Sequence, residues 1–314
     1  MHNIQKPGTW LLKGTLRLLS KLPLGLHYAL GGILAWLARD VVRYRRHVVD
    51  HNLALCVPDK TEKERKAIRR GFYRHFGELV AETIWFGGCR RPQRLHRRRL
   101  VEVENPGEVA ALYDAAPGLV VLYSHQGNWE LLGGIASYNY PDTPLPCTEQ
   151  NFCVVYLRQS SPAWDEILRE NRVAPLLDRE HFEGYIESRD ILRYAFQHRD
   201  DKKVYNINTD QRPYALSRGV AEVDFLGQHT YTMTGAAALA HKLGLAVAFM
   251  SMRSDRRGHY LLRYIPICQN AAAQEPQQIM QQYYSLLEED IRRQPEQYLW
   301  THRRFDRPKN LQTQ

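Results

Sequence analysis

The sequence predicts an α/β fold: a mixed, mainly parallel central sheet flanked by helices, with an N-terminal hydrophobic membrane-anchor helix. Three observations carry that prediction. From residue 118 onward, apolar runs of strand length alternate with segments of helical spacing, the order that builds a parallel sheet with helices on both faces. A capping pattern opens a long amphipathic segment before that alternation begins. Residues 22–38, LPLGLHYALGGILAWLA, form seventeen positions without a formal charge.

That apolar segment follows Lys6, Lys13, Arg17 and Lys21 and precedes Arg39, Arg43, Arg45 and Arg46. A secretory signal would lack the second basic block and would end in a small-residue cleavage site. A bilayer-spanning helix needs about 20 apolar residues, so seventeen with three glycines and His27 stand at the lower limit. Three readings stay open: a helix lying in the membrane interface, a short anchor with snorkelling flanks, and an amphipathic helix packed on the body. Residues 1–46 are accordingly set apart as an anchor or interfacial segment, with one domain over 47–314.

Thr61-Glu-Lys-Glu64 is a capping box, and Ile68, Phe72, Phe76, Leu79, Val80 and Ile84 follow at helical spacing, so a helix is expected over 61–86. The basic block RRPQRLHRRR at 90–99 reads as a loop. Asn105-Pro106 starts a short helix, and Ala-Pro-Gly at 116–118 stops it before a strand at 118–124. Further helices are expected near 129–137, 162–172, 182–198, 234–243 and 276–293, and strands near 144–149, 203–209, 245–252 and 259–267.

Composition narrows the partners. The net charge is +9, and the first 100 residues hold 21 basic against 7 acidic groups, whereas the remainder holds 22 against 27. An acidic surface or partner therefore faces the N-terminal part. No helix-turn-helix, zinc-finger or single-strand-binding motif accompanies the basic groups, which excludes nucleic acid as the expected partner. Cys56, Cys89, Cys147, Cys153 and Cys268 include no CxxC pair, and the thirteen histidines form no HExxH. Neither a disulfide framework nor a metal site is expected, and a reducing compartment is the simpler setting.

The stretch with chemistry is Ser124-His-Gln-Gly-Asn-Trp-Glu130 at the end of strand 118–123. In such sheets, ligands sit beyond the carboxyl ends of strands. Gly127 permits a tight turn into a helix starting near Asn128. Glu130 can then fold back beside His125, fixing one ring nitrogen and leaving the other as a base. Spacing alone also allows a Glu favoured by a helix N-terminus with a satisfied His beside it. Ser124 points to the opposite face of the strand, no G-x-S-x-G elbow exists, and neither Cys147 nor Cys153 lies in a nucleophile motif. A substrate hydroxyl is left as the attacking group.

SHQGNWELLGG resembles the His-x4-Asp/Glu motif of glycerolipid-type acyltransferases. More closely, it is similar to the lipid A biosynthesis lauroyl/myristoyl, or late, acyltransferase family. Segments at 47–82, VVYLRQSSPAWDEILRENR at 154–172, NTDQRP at 208–213, DFLGQHTYTMTGAAALAHKLG at 224–244 and PEQYLWTHRRFDRP at 295–308 match that family in order. The resemblance implies acyl transfer from acyl carrier protein to a hydroxyl of a lipid A precursor, at the cytoplasmic face of the inner membrane and against its phospholipid surface. It implies no bound cofactor and no acyl-enzyme. His125 would be the general base and Glu130 its orienting partner. Arg158 would bind a substrate phosphate or assist the thioester carbonyl. Asp210 and Gln211 match an Asp-Gln pair near the site, Phe225 and Gly227 match an FxG element, and Asn128 joins these as substrate-binding. Two alternatives stand beside this expectation: the same chemistry on an aminolipid, glycolipid or lysophospholipid, and a non-catalytic membrane-bound binding protein.

Overall fold

The computed structural model describes residues 7–214 and 219–306 of the 314. Lys6 of the first basic flank, the loop positions 215–218 and the last two residues of the 295–308 segment lie outside them. In chain order the elements are α1 (Pro7–Leu19), α2 (Leu24–Trp36), α3 (Arg46–Cys56), α4 (Glu62–Phe86), α5 (Pro92–Arg98), β1 (Val101–Val103), α6 (Pro106–Ala115) and β2 (Leu119–Tyr123). They continue with β3 (Phe152–Tyr156), α7 (Pro162–Arg172), β4 (Tyr185–Glu187), α8 (Ile191–Gln197), β5 (Val204–Asn208), β6 (Val220–Phe225) and β7 (Gln228–Met233). The last are α9 (Gly235–Leu243), β8 (Ala246–Arg256), β9 (His259–Cys268) and α10 (Pro276–Arg293).

Seven strands form one sheet in the order β1-β9-β8-β2-β5-β3-β4. Every neighbouring pair is parallel except β8 with β9, so the mixed, mainly parallel sheet read from the sequence is present. The central strand β2 is buried at all five residues, which is why it reads as an unbroken apolar run. Its side chains alternate between two cores. Leu119, Val121 and Tyr123 join Val109 and Leu112 of α6 on one face, while Val120 and Leu122 join Leu239 of α9 and Leu287 of α10 on the other.

Helix α4 begins at the expected capping box: the Thr61 backbone amide donates to Glu64 Oε2 at 2.7 Å, and the Glu64 amide donates to Thr61 Oγ1 at 3.3 Å. Helix α2 lies directly on α4. A methyl group on Gly31 would stand 2.5 Å from the carbonyl oxygen of Gly77, so paired glycines bring the two backbones into contact. This corrects the anchor expectation as far as a membrane-spanning helix is concerned. Among the described residues no helix is long and apolar enough to cross a membrane. Pro23 starts α2, which stops after 13 residues; a π turn at Leu37–Val41 and left-handed backbone at Arg45 follow.

Other expectations shift. The strand placed at 144–149 is absent, because Pro144 and Pro146 remove ladder donors, and the strand is β3, a few residues on. The single helix placed at 182–198 divides into β4 and α8. Segment 129–137 is a 3₁₀ turn, and the basic block at 90–99 contains α5 with Pro92 at its start. The β6–β7 hairpin, a separate two-stranded sheet, was not foreseen.

Candidate active site

Strand β2 carries Ser124 and His125 to the C-terminal edge of the sheet, between the ends of β8 and β5. The chain then turns at Gly127, whose φ of +68° lies in the left-handed region that favours glycine. The turn is held from both sides. The Gly127 amide donates to the Gln297 carbonyl at 3.1 Å, and Gln126 Nε2 donates to the Gln294 carbonyl at 3.0 Å. His75 Nε2 meets the Gly127 carbonyl at 3.0 Å; burial lowers the pKa of His75, so the ring is neutral and Nε2 is the donor.

Asp210 follows β5, the strand beside β2, and its carboxylate takes His125 twice. Oδ1 accepts from Nδ1 at 2.6 Å, and Oδ2 accepts from the His125 backbone amide at 3.1 Å. Burial alone would raise the Asp210 pKa; the His125 charge and both hydrogen bonds outweigh it and hold the carboxylate below its ordinary range. With its proton on Nδ1, the ring presents Nε2 as an acceptor. The amide of Gln211 lies there, Nε2 to Nε2 at 3.2 Å, and is oriented by the Tyr214 hydroxyl donating to its Oε1 at 2.9 Å.

Glu130 takes a different partner from the one its spacing implied. The Arg172 guanidinium grips it in a two-point pair, Nε to Oε2 at 2.8 Å and Nη2 to Oε1 at 2.9 Å, while Arg172 Nη1 donates to the Tyr185 hydroxyl at 2.7 Å. Burial would raise the Glu130 pKa, but Arg172 first, and His125 after it, hold it below the ordinary value. Gly133 makes this possible, since any side chain there would overlap Arg172. The hydrogen-bond partner of His125 is therefore Asp210, and Glu130 acts on the ring through its charge and through Trp129, which packs edge-on at 4.8 Å between ring centroids.

Glu130 also lines an apolar cavity of about 330 Å³ between α1, α4 and α7, together with Leu16, Leu79, Val80, Ile84, Ile167 and Leu168; Arg17 and Arg90 are among its polar residues. The cavity thus reaches Glu130, five residues after His125. A model of the bacterial lipid A biosynthesis acyltransferases matches residues 2–307.

The chain belongs to that family.

Over 95% of its length, this family member is 28% identical to the lipid A biosynthesis lauroyltransferase of Escherichia coli K12, covering 90% of that relative. It is 25% identical to the lipid A biosynthesis palmitoleoyltransferase of the same organism and to a lipid A biosynthesis acyltransferase of Shigella flexneri, with the same coverage of both chains.

The acyltransferase distributes the remaining expected residues unevenly. Arg158 lies past the end of β3, separated from β2 by β5 and so about 10 Å to the side at 4.8 Å per strand. It is exposed, 3.3 Å from Glu187, at a polar hollow of about 350 Å³ that Arg169, Arg189 and Arg193 also line. Asn128 is buried and donates to Glu82 Oε2 at 2.8 Å, away from the imidazole. Phe225 is buried against Tyr284, Tyr298 and Phe305. Gly227, with φ +73°, follows Leu226, with φ +52°, in the two-residue turn of the β6–β7 hairpin. The FxG element is thus a core residue and a turn.

Arg172, Tyr185, Tyr214 and His302 were not singled out from the sequence. His302, pushed down to about 4 by burial, is neutral beside Asp210. Burial pushes the thiols of Cys147 and Cys153 up to about 12, which leaves neither as a ready nucleophile. Among the described residues no group of three His, Cys, Asp or Glu side chains could hold a metal ion.

Proposed function

We propose that this family member moves a fatty acyl group from acyl carrier protein to a hydroxyl of a lipid A precursor, at the cytoplasmic face of the inner membrane. The observation that carries the reading is a histidine at the sheet's C-terminal edge whose Nδ1 is fixed by a buried carboxylate and whose Nε2 is left as an acceptor, five residues before a glutamate that lines an apolar cavity.

The acceptor hydroxyl displaces the Gln211 amide and donates to His125 Nε2. As its oxygen attacks the thioester carbonyl, His125 takes the proton and Asp210 stabilises the imidazolium. The tetrahedral adduct collapses, the carbon–sulfur bond breaks, and the departing thiolate recovers that proton. Glu130, ion-paired with Arg172, belongs both to the cavity lining and to the segment that follows His125, and in this reading it aligns the acyl chain's entrance with the base. The guanidiniums of Arg158 and its neighbours suit a phosphate on the acceptor. No bound cofactor enters these steps.

Trp10, Leu11, Leu18, Leu26, Leu30, Ile33 and Trp36 are exposed along α1 and α2, with Arg17, Lys21, Arg39 and Arg43 nearby in the chain. An apolar ridge edged by cations suits docking on an anionic phospholipid surface rather than crossing it. In this reading residues 1–46 supply the docking face and 47–314 the chemistry. The same excess of basic groups suits an acidic carrier protein.

Purified protein given acyl carrier protein thioester and lipid A precursor is expected to yield acylated lipid, and His125→Ala to abolish it. Mass spectrometry of lipids from a deletion strain identifies the acceptor: loss of an aminolipid, glycolipid or phospholipid species with unchanged lipid A overturns the acceptor assignment.

A further inference from the structure

Helix α4 reaches the turn after His125 with two side chains that the acyl-transfer steps do not use. His75 and Glu82 are seven residues apart, two helical turns, and so share a face. His75 holds the Gly127 carbonyl. Glu82 is fully buried and accepts three hydrogen bonds, each 2.8 Å long, from Asn128 Nδ2, the Tyr28 hydroxyl and the Tyr260 hydroxyl. Asn128 is the residue next to Gly127, Tyr28 belongs to α2, and Tyr260 to β9.

The charged groups around this cluster are Glu78 on α4, Arg98 on α5 and Arg257 at the β8–β9 turn. Arg257 pairs with Glu78 at 2.8 Å and lies over the Tyr28 ring. Among the described residues none of them bonds Glu82. A carboxylate sunk in the core without a cationic partner is costly, and an apolar side chain of similar size would stabilise the fold better. Its three donors come from three different elements, and one of them is the residue that leads out of the catalytic turn.

We propose that Glu82 is a positioning residue: by fixing Asn128 it sets the placement of the turn that presents His125, and through Tyr28 it makes α2 part of the same clamp. Helix α2 then has two working faces. Leu26, Leu30 and Ile33 are exposed on one side, while Tyr28 reaches inward to Glu82. The inference rests on His125 being the base of the proposed reaction.

Glu82→Gln keeps the shape and removes one acceptor. With carrier-protein thioester and lipid A precursor, kcat is expected to fall roughly 10- to 100-fold, the scale set by displacing a reacting group by up to about 1 Å. Both KM values should remain within about two-fold, and at pH 8, where Glu82 is ionised in the wild type, the melting temperature should be unchanged or higher because a buried charge has gone. Tyr28→Phe and Tyr260→Phe, each losing one donor, should give smaller falls of the same kind. A kcat within two-fold of wild type overturns the proposal, as does a loss matched by lower melting temperature. A second readout is independent of turnover: the His125 ring resonances, assigned by their disappearance in His125→Ala, should shift in Glu82→Gln. Unmoved resonances overturn the proposal even where kcat falls. Failure of the wild-type protein to transfer acyl groups would instead sink the proposed reaction.

Discussion

Asp210 Oδ1 lies 2.6 Å from His125 Nδ1, joining two residues 85 positions apart across the ends of neighbouring strands. The same carboxylate also accepts from the His125 backbone amide, so it fixes the ring's tautomer and the chain that carries it. Asp210→Asn should therefore lower kcat by about 10² to 10⁴-fold, the range for losing general-base assistance, with acceptor binding retained. Steady-state kinetics on the purified variant test this. Near-normal turnover in Asp210→Asn, with complete loss in Glu130→Gln, would return the orienting role to Glu130.

Arg172 and Glu130 are both largely buried, and removing one leaves the other charge without its partner. Arg172→Met should destabilise the protein by about 3–5 kcal/mol. Arg172→Met combined with Glu130→Leu should recover most of that loss while remaining poorly active. Denaturant titration of the two variants compares them. Equal instability in both would mean that the pair's packing, not its charge, holds α7 in place.

Burial raises the Glu82 carboxyl from 4.5 to about 7. A raised carboxyl contributes stability that is fully present below the unfolded pKa and lost as pH climbs through the folded one. Wild-type protein should therefore lose stability relative to Glu82→Gln between about pH 4.5 and pH 7, by roughly 3 kcal/mol at 1.36 kcal/mol per unit. Chemical denaturation across that range reads the difference. A gap that stays constant with pH would show that Glu82 titrates normally.

The exposed ridge on α2 gives a separate test. Leu30→Glu with Ile33→Glu should weaken binding to vesicles containing anionic lipid, each side chain forfeiting up to about 1.5–3 kcal/mol of apolar burial. Binding of the wild type should also weaken with salt. The melting temperature in solution should hardly change, because both positions face outward. Unaltered vesicle binding would move docking to another surface.

Elements fixed by local chemistry were legible in the sequence. Thr61 and Glu64 marked the start of α4, the run from Leu119 to Tyr123 marked β2, and Pro276 opened α10 at the residue expected. Elements decided by long-range contact were not. β3, at Phe152–Tyr156 rather than near the two prolines, is defined by its pairing with β5 and β4, some 30 to 50 residues on. The β6–β7 hairpin turns at Leu226–Gly227, which lacks the Asn-Gly or Asp-Gly signature of such turns. His125 was singled out through SHQGNWE, at the sheet edge where the structure places it. Its hydrogen-bond partner could not be read there, because a five-residue spacing shows Glu130 and hides both Arg172 and Asp210. Asp210 was in view through NTDQRP, without the role its geometry gives it.

The catalytic turn is tied to Gln294 and Gln297, and Gln126 bridges to Tyr298; the chain that follows is anchored where Asn52 Nδ2 donates to the Trp300 and His302 carbonyls. The turn that presents His125 is therefore mounted by contacts made 168 or more residues later in the chain, so its final placement waits on the folding of the 294–302 stretch against α3 and α4.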